Sequence, residues 1–249
     1  MRKLPAIFHR LLILAACLLL GACFDIHEEV WIERNGSGRA ELRYTVPESA
    51  LFLNGGTSGT EKKIREIIAT QPSLILDDIS VEAKDGNATV SVKVSTKSLL
   101  SLLDLKKSES FQNLPESTAD IAGHFDVRLR WLDLDFARSV HVREALGLAS
   151  LAVGSDDREN RHLTYIIHLP KAAKESNATS VTDDGKTLTW DYTLGQAIQK
   201  PIVTRFRATM PIPRYAWAAA AALLLVGAAT AAWIVRKLRR LRRRDTSTP

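Results

Sequence analysis

The feature that most constrains this chain is an apolar segment close to its C-terminus. Tyr215 to Val235 spans 21 residues, mostly alanine and leucine, with no ionisable side chain other than that of Tyr215. At a rise of about 1.5 Å per residue, a helix of this length extends about 30 Å, which matches the hydrocarbon core of a bilayer. Residues 214–235 are therefore predicted to form a transmembrane helix.

Residues at both ends of this segment are typical of a membrane span. Tyr215, Trp217 and Trp233 lie near its two ends, where aromatic side chains favour the membrane–water interface. A basic cluster follows the segment: Arg236, Lys237, Arg239, Arg240, Arg242, Arg243 and Arg244. Such a cluster marks the cytoplasmic side, so residues 236–249 are predicted to be a cytoplasmic tail. The alternative is a buried helix of a soluble domain, which does not account for the tryptophans or the basic cluster.

The N-terminus has the pattern of a secretory signal peptide over residues 1–22. Arg2 and Lys3 follow Met1, and an apolar run of 12 residues extends from Leu11 to Ala22. This run is shorter than the roughly 20 residues that cross a bilayer, and it ends in small residues as cleaved signals do. The alternative is an uncleaved membrane anchor.

A lipobox-like sequence, Leu20-Gly21-Ala22-Cys23, closes this signal peptide. It resembles the signals of bacterial lipoproteins, in which the cysteine becomes the new N-terminus. The resemblance implies that Cys23 carries a diacylglycerol thioether and an amide-linked acyl chain, and several acyl chains anchor a protein firmly. Because Cys17 lies in the signal peptide, Cys23 is the one cysteine of the mature chain. Lipidation explains such a lone exported cysteine.

The two ends together predict a protein of the cytoplasmic (inner) membrane whose main domain, residues 23–213, is extracytoplasmic. The chain has a formal net charge of +6, but residues 23–213 hold 23 basic and 27 acidic side chains. The basic character therefore belongs to the membrane flanks, and no nucleic-acid partner is predicted.

Alternating apolar residues in the first half of this domain predict two β-hairpins. The first hairpin turns at residues 35–38 and the second at residues 85–87. Between them, residues 61–70 place isoleucines on one helical face, with Thr60 as a plausible N-cap. Leucines predict another short helix at residues 96–107.

The second half of the domain is predicted to contain mostly strands. Residues 126–136 read as one long strand, and a change in the phase of its apolar residues indicates a β-bulge. Further strands are predicted at 163–169, 188–194 and 204–210, and a helix at 138–148. These elements predict an α+β domain with a mainly antiparallel sheet, built from hairpins with two or three short helices.

A resemblance to a known family rests on four short stretches: Leu169-Pro170, the loop containing Asn177, Asp184-Gly185-Lys186-Thr187 and Thr189-Trp190-Asp191-Tyr192. In these stretches and in its overall layout, the sequence resembles the LppM-type membrane lipoproteins. The resemblance implies a lipidated N-terminal cysteine, an α/β ectodomain that binds lipid or glycolipid, and one C-terminal helix with a basic end. It assigns no ligand residue, because likeness of fold carries little about function.

The sequence contains no recognised catalytic or metal-binding motif, and no cofactor is predicted. His27 is followed by Glu28 but lacks the second histidine of a zinc-protease motif. The other histidines of the mature chain are interpreted as scattered, at positions 124, 141, 162 and 168. His162 and His168 lie about 20 Å apart on one predicted strand, too far to share an ion.

Two groups of residues leave a binding or catalytic alternative open. Asp133 and Asp135 share a strand face, where they could bind a hard cation or act as an acid–base pair. A solvated outer face is the simpler interpretation. The tryptophans could line a sugar or lipid pocket, although large aromatic residues on strands usually belong to the core. They are Trp31, Trp131 and Trp190.

These observations favour a membrane-tethered envelope lipoprotein over an enzyme. Tethers at both ends would hold the extracytoplasmic domain at the bilayer, where they raise its effective concentration for membrane lipid, a glycolipid or an envelope protein. The alternative is an envelope enzyme with an unrecognised carboxylate-based site. Signal transmission is disfavoured because a tail of 14 residues has no room for an output domain.

Overall fold

The structure is a computed structural model that describes residues 24–99, 120, 123–130 and 133–209. The described residues contain eleven strands: β1 (Asp25–Ile32), β2 (Gly38–Pro47), β3 (Ile75–Lys84), β4 (Asn87–Thr96), β5 (His124–Arg130), β6 (Asp133–Val140), β7 (His162–His168), β8 (Glu175–Ser176), β9 (Ser180–Thr182), β10 (Thr187–Thr193) and β11 (Ile202–Thr209).

The helices of the described residues are short. A 3-10 helix, Glu48–Asn54, precedes five α-helices: α1 (Gly56–Ala69), α2 (Val142–Leu146), α3 (Ala149–Ala152), α4 (Ser155–Asn160) and α5 (Leu194–Gln199). Thr193 caps α5 through a capping box with Gln196, because each side chain accepts a hydrogen bond from the other residue's backbone N–H. The helices are more numerous than the two or three predicted.

The strands form two sheets. The larger has seven strands in the order β3-β4-β2-β1-β7-β10-β9, and the smaller has four in the order β5-β6-β11-β8. All neighbouring strands are antiparallel except β1 and β7. The predicted α+β class with a mainly antiparallel arrangement is confirmed. The parallel pair joins segments far apart in the chain, and local patterns do not predict it.

One face of the larger sheet, the inner face, carries the core. Side chains of β1, β7 and β10 pack against those of β6 and β11, with Trp190 and Phe206 among the fully buried residues. At the other end of the same face, Ile64 and Ile68 of α1 pack against a cluster that includes Val90. The opposite face of the larger sheet, the outer face, is mostly polar.

The two predicted hairpins are confirmed, with antiparallel pairs β1–β2 and β3–β4. The second turn consists of Asp85 and Gly86, both with positive φ (52° and 76°), as type I′ turns require. The predicted N-cap is wrong, because α1 begins at Gly56 and Thr60 lies buried inside it. Gly55, with φ of 82°, precedes the helix instead.

The predicted single strand at residues 126–136 is also wrong. Arg130 pairs with Asp133, so the chain reverses between them and β5 and β6 form an antiparallel hairpin. The change of apolar phase therefore marks a reversal rather than a bulge.

In the predicted helix at 138–148, β6 continues to Val140 and only Val142–Leu146 is helical. The strand predicted at 188–194 ends at Thr193, where α5 begins.

Several predicted features lie outside the described residues. They are the signal peptide 1–22, Cys23, most of the predicted helix 96–107, Trp131, the transmembrane segment 214–235 and the tail 236–249. Within the part of the chain that the structure describes, no helix has the length and apolar character needed to span a bilayer.

Candidate ligand groove

Three side chains form a stack on the outer face, at the end of β1. Trp31 pairs with Arg39 on one neighbouring strand and with His168 on the other. The His168 ring stacks on the indole at a centroid distance of 5.1 Å and an interplanar angle of 9°. The Arg39 guanidinium carbon lies 4.2 Å from the centroid of the Trp31 ring. Both neighbours therefore contact the indole, and the cation–π contact favours this arrangement.

Hydrogen bonds fix the His168 ring in this stack. Its Nε2 lies 2.7 Å from a carboxylate oxygen of Glu29, and its Nδ1 lies 3.1 Å from the hydroxyl of Thr187. These partners come from β1 and β10, the two strands beside β7. Three adjacent strands thus hold the imidazole in one orientation.

An open, shallow groove of about 540 Å³ lies beside this stack. Residues from the end of β1, the following turn, the end of β7 and the turn before β10 line it: Trp31, Ile32, Glu33, Arg34, Asn35, His168, Leu169, Pro170, Asp183 and Lys186. The groove is open and carries side chains of both charges. This composition suits a polar partner better than an acyl chain.

The groove contains residues from the stretches that carry the resemblance to LppM-type proteins. Leu169, Pro170 and Lys186 are among its lining residues. The Leu169 N–H donates to the Lys186 carbonyl oxygen at 2.8 Å. Asp183, Asp184 and Gly185 all have positive φ, which reverses the chain sharply before Lys186. The aspartate–glycine turn is recognisable in the sequence. The sequence does not predict that this turn lies close to Trp31.

The inner face holds a buried ion pair between the two sheets. The Arg138 guanidinium of β6 donates two hydrogen bonds to the Glu28 carboxylate of β1, one of them 3.0 Å long. The Tyr44 hydroxyl donates to the same carboxylate at 2.6 Å. Only 6% of Glu28 and 8% of Arg138 is exposed. This cluster was not predicted, although Glu28 occupies a position of the apolar alternation in β1.

Burial shifts the ionisation of this cluster. Burial and then the negative charge of Glu28 raise the pKa of Tyr44 well above its usual range. The same two causes raise the pKa of Tyr165, whose ring lies against Arg138. Burial opposes the charge of Arg138, but the charge and hydrogen bonds of Glu28 outweigh it and raise the guanidinium pKa. At neutral pH, Arg138 is therefore charged and both tyrosines are neutral.

The structure places Trp190 in the core and gives each of the two predicted site aspartates a cationic partner. Trp190 is fully buried and its indole N–H donates to Asn177 at 2.8 Å, so it belongs to the core. Asp133 accepts two hydrogen bonds from Lys174, at 2.7 and 2.8 Å. Asp135 instead lies 3.6 Å from the Arg207 guanidinium. Each carboxylate thus has its own cation.

These contacts do not favour an acid–base pair. The hydrogen bond from Lys174 is the main cause that holds the pKa of Asp133 below its usual range. A general acid at neutral pH needs a raised pKa instead.

His162 and His168 also have separate partners, because His162 lies 3.0 Å from Asp191. The interpretation of the histidines as scattered is wrong for His124 and His141, whose rings touch.

The N-terminal end of the described chain belongs to the core. Phe24 is 3% exposed, and β1 begins at the next residue. Asp25 accepts hydrogen bonds from Arg161 at 2.8 Å and from the His162 backbone N–H at 3.0 Å. Cys23 is therefore followed directly by folded structure.

One solved structure is similar to this chain. The folded domain of LppM from Mycobacterium tuberculosis, solved by NMR, is similar at a TM-score of 0.46 and 12% identity, over 78% of this chain and 93% of that domain. No protein-family model and no curated protein matches the sequence. The likeness of fold transfers no residue role and no ligand to this chain.

Proposed function

We propose that this protein is an envelope lipoprotein, tethered to the cytoplasmic membrane by Cys23 and by a C-terminal helix, whose extracytoplasmic domain binds a partner in the groove beside Trp31. The observation that carries the proposal is the continuity between Cys23 and the sheet. Because Phe24 is buried and β1 begins at Asp25, a lipid on Cys23 would hold this end of the sheet at the bilayer without a linker.

The charged lining of the groove favours a polar partner over an acyl chain. The charges of Glu33, Arg34 and Lys186 suit a polar segment of an envelope protein.

Site-specific photo-crosslinking in cells tests this proposal. A photoreactive residue at Asn35, an exposed position in the groove lining, is expected to give an adduct with an envelope protein. The matched control is Lys84, an exposed residue at the end of β3. Adducts from Asn35 alone, lost on Trp31→Ala, support the proposal, whereas the same adducts from both positions contradict it.

A second measurement distinguishes a lipid ligand from a protein partner. Native mass spectrometry of the full chain in detergent is expected to show no lipid that depends on Trp31. A co-purifying lipid or glycolipid that disappears in Trp31→Ala would replace the protein partner with a lipid ligand. The enzyme alternative built on Asp133 and Asp135 stays a prediction, and full function after Asp133→Asn and Asp135→Asn would end it.

A further inference from the structure

A cluster of two histidines and one aspartate lies away from the groove, where the hairpin β5–β6 meets Asp120. His124 is the first residue of β5, and His141 directly follows β6. One ligand atom from each of Asp120, His124 and His141 lies within 4.8 Å of the other two. Imidazole nitrogen and carboxylate oxygen are the donors that zinc and similar transition-metal ions accept in proteins.

The backbone holds these three residues together. The His141 N–H donates to the Asp120 carbonyl oxygen at 3.1 Å. His124 pairs with Ser139, two residues before His141. The strand ladder therefore positions His124, and a direct hydrogen bond positions Asp120 beside His141.

Gly123 makes this close approach possible. Its φ is +84°, a conformation that side-chain-bearing residues rarely adopt. A Cβ atom at this position would lie 2.9 Å from the Ser139 carbonyl oxygen and 3.0 Å from Cγ2 of Val140. Any larger residue would push the segment that carries Asp120 and His124 away from β6.

The histidine side chains are suited to accept a cation. Their ring centroids are 5.4 Å apart, and the rings are perpendicular. Nδ1 of His141 is buried and has no hydrogen-bond partner among the described residues. A buried polar atom without a partner is costly, and a metal ion or a metal-bound water would satisfy it.

We propose that Asp120, His124 and His141 bind one divalent transition-metal cation of the zinc class. Ligand atoms on a tetrahedral zinc ion are about 3.4 Å apart at bond lengths of about 2.0–2.1 Å. His124 is exposed, so rotation of its side chain closes the remaining distance. Three protein ligands leave the fourth position to water. Calcium and magnesium are disfavoured, because both prefer oxygen ligands.

Metal titration of the full chain tests this proposal. The chain is purified in detergent without a polyhistidine tag and is stripped with a chelator. Addition of Co²⁺ is expected to give the visible absorption of a tetrahedral site, saturating at one ion per chain, and Zn²⁺ is expected to displace it. His124→Asn and His141→Asn should each weaken binding at least about tenfold, since even outer partners of a metal ligand cost that much.

His162→Asn is the matched control, because His162 is an exposed histidine on the outer face. It is expected to leave the affinity unchanged. Wild-type affinity in the double variant His124→Asn/His141→Asn, or equal losses in His162→Asn and His124→Asn, would overturn the proposal. If His141→Asn does not fold, the metal affinity of His124→Asn alone tests the proposal, because removal of the exposed His124 ring leaves the core intact. Absence of any saturable Co²⁺ or Zn²⁺ binding by the folded wild type also overturns it.

Discussion

Glu28 and Glu29 are neighbours in β1 and carry the same carboxylate, yet they lie on opposite faces of the larger sheet. Glu28 meets Arg138 between the two sheets and is 6% exposed. The side chain of Glu29 is 27% exposed and meets His168 at the surface. Burial costs both charges of an ion pair their hydration, so loss of one partner in the core is severe, whereas exposed pairs contribute little. One carboxylate thus forms an ion pair between the two sheets, and the other orients a ring beside the groove.

The largest effect is expected from Glu28→Gln. This change leaves the buried Arg138 charge without its carboxylate, and we expect the free energy of unfolding to fall by about 3–5 kcal/mol. Chemical denaturation of the full chain in detergent, followed by circular dichroism, measures the loss.

Glu29→Gln is the matched control on the outer face, with an expected loss below about 1 kcal/mol. The double variant Glu28→Leu/Arg138→Met should recover most of the stability, because it leaves no buried charge. Equal losses of unfolding free energy for Glu28→Gln and Glu29→Gln would contradict the difference between the two faces.

A smaller effect is expected at alkaline pH. The pKa values of Tyr44 and Tyr165 are raised in the folded chain, by burial first and by Glu28 second. Above pH of about 10 the unfolded chain releases these protons while the folded chain retains them, so stability falls as the pH rises. Each tyrosine contributes a slope of at most about 1.4 kcal/mol per pH unit.

Tyr44→Phe is expected to remove one of these two contributions to the slope. The measurement is the free energy of unfolding between about pH 9 and pH 11. Below pH of about 10 the stabilising contribution of the Tyr44 proton is fully present and does not change with pH. The slope of the unfolding free energy against pH should therefore be the same there in the wild type and in Tyr44→Phe. An unchanged alkaline slope in Tyr44→Phe would show that its hydroxyl is not buried beside a charge.

The contact between Arg39 and Trp31 on the outer face should contribute less. A double-mutant cycle with Arg39→Ala and Trp31→Ala is expected to give a coupling of about 0.5–1 kcal/mol, as for cation–π pairs at exposed sites. Arg43 lies on the same strand and pairs with His27, so a cycle with Arg43→Ala should give no coupling to Trp31. Similar couplings for both arginines would contradict the stack.

The smallest effect is expected from Asp133→Asn. The Lys174 hydrogen bond lowers the pKa of this partly exposed carboxylate, so its contribution to stability is present above its ordinary pKa and is lost as the pH falls below it. Urea denaturation near neutral pH and near pH 3 should show a slightly smaller acid-induced loss in the variant. A larger acid-induced loss in the variant would contradict the assigned direction.

The sequence predicts those parts of the fold that depend on neighbouring residues. The hairpins around residues 35–38 and 85–87 follow from alternating apolar residues and from glycines that accept positive φ. The reversal between Arg130 and Asp133 was missed because no glycine or proline marks it, and a change of phase is also typical of a bulge.

The site depends on contacts between distant segments, which local patterns do not reveal. Trp31 meets His168 through the parallel pair β1–β7. Glu28 meets Arg138, 110 residues further along the chain. A charged residue at an apolar position of the alternation signals a buried partner, but it does not say which one. His124 and His141 come together only because β5 and β6 form a hairpin.

The proposed function requires a lipid on Cys23, directly before the buried Phe24. Mass spectrometry of the N-terminal peptide from isolated membranes tests this lipidation. We expect a mature chain that starts at Cys23, carries the added mass of a diacylglycerol and an acyl chain, and stays in the membrane after alkaline washing. A chain that retains residues 1–22, or an unmodified Cys23 in a protein released by that washing, would contradict it.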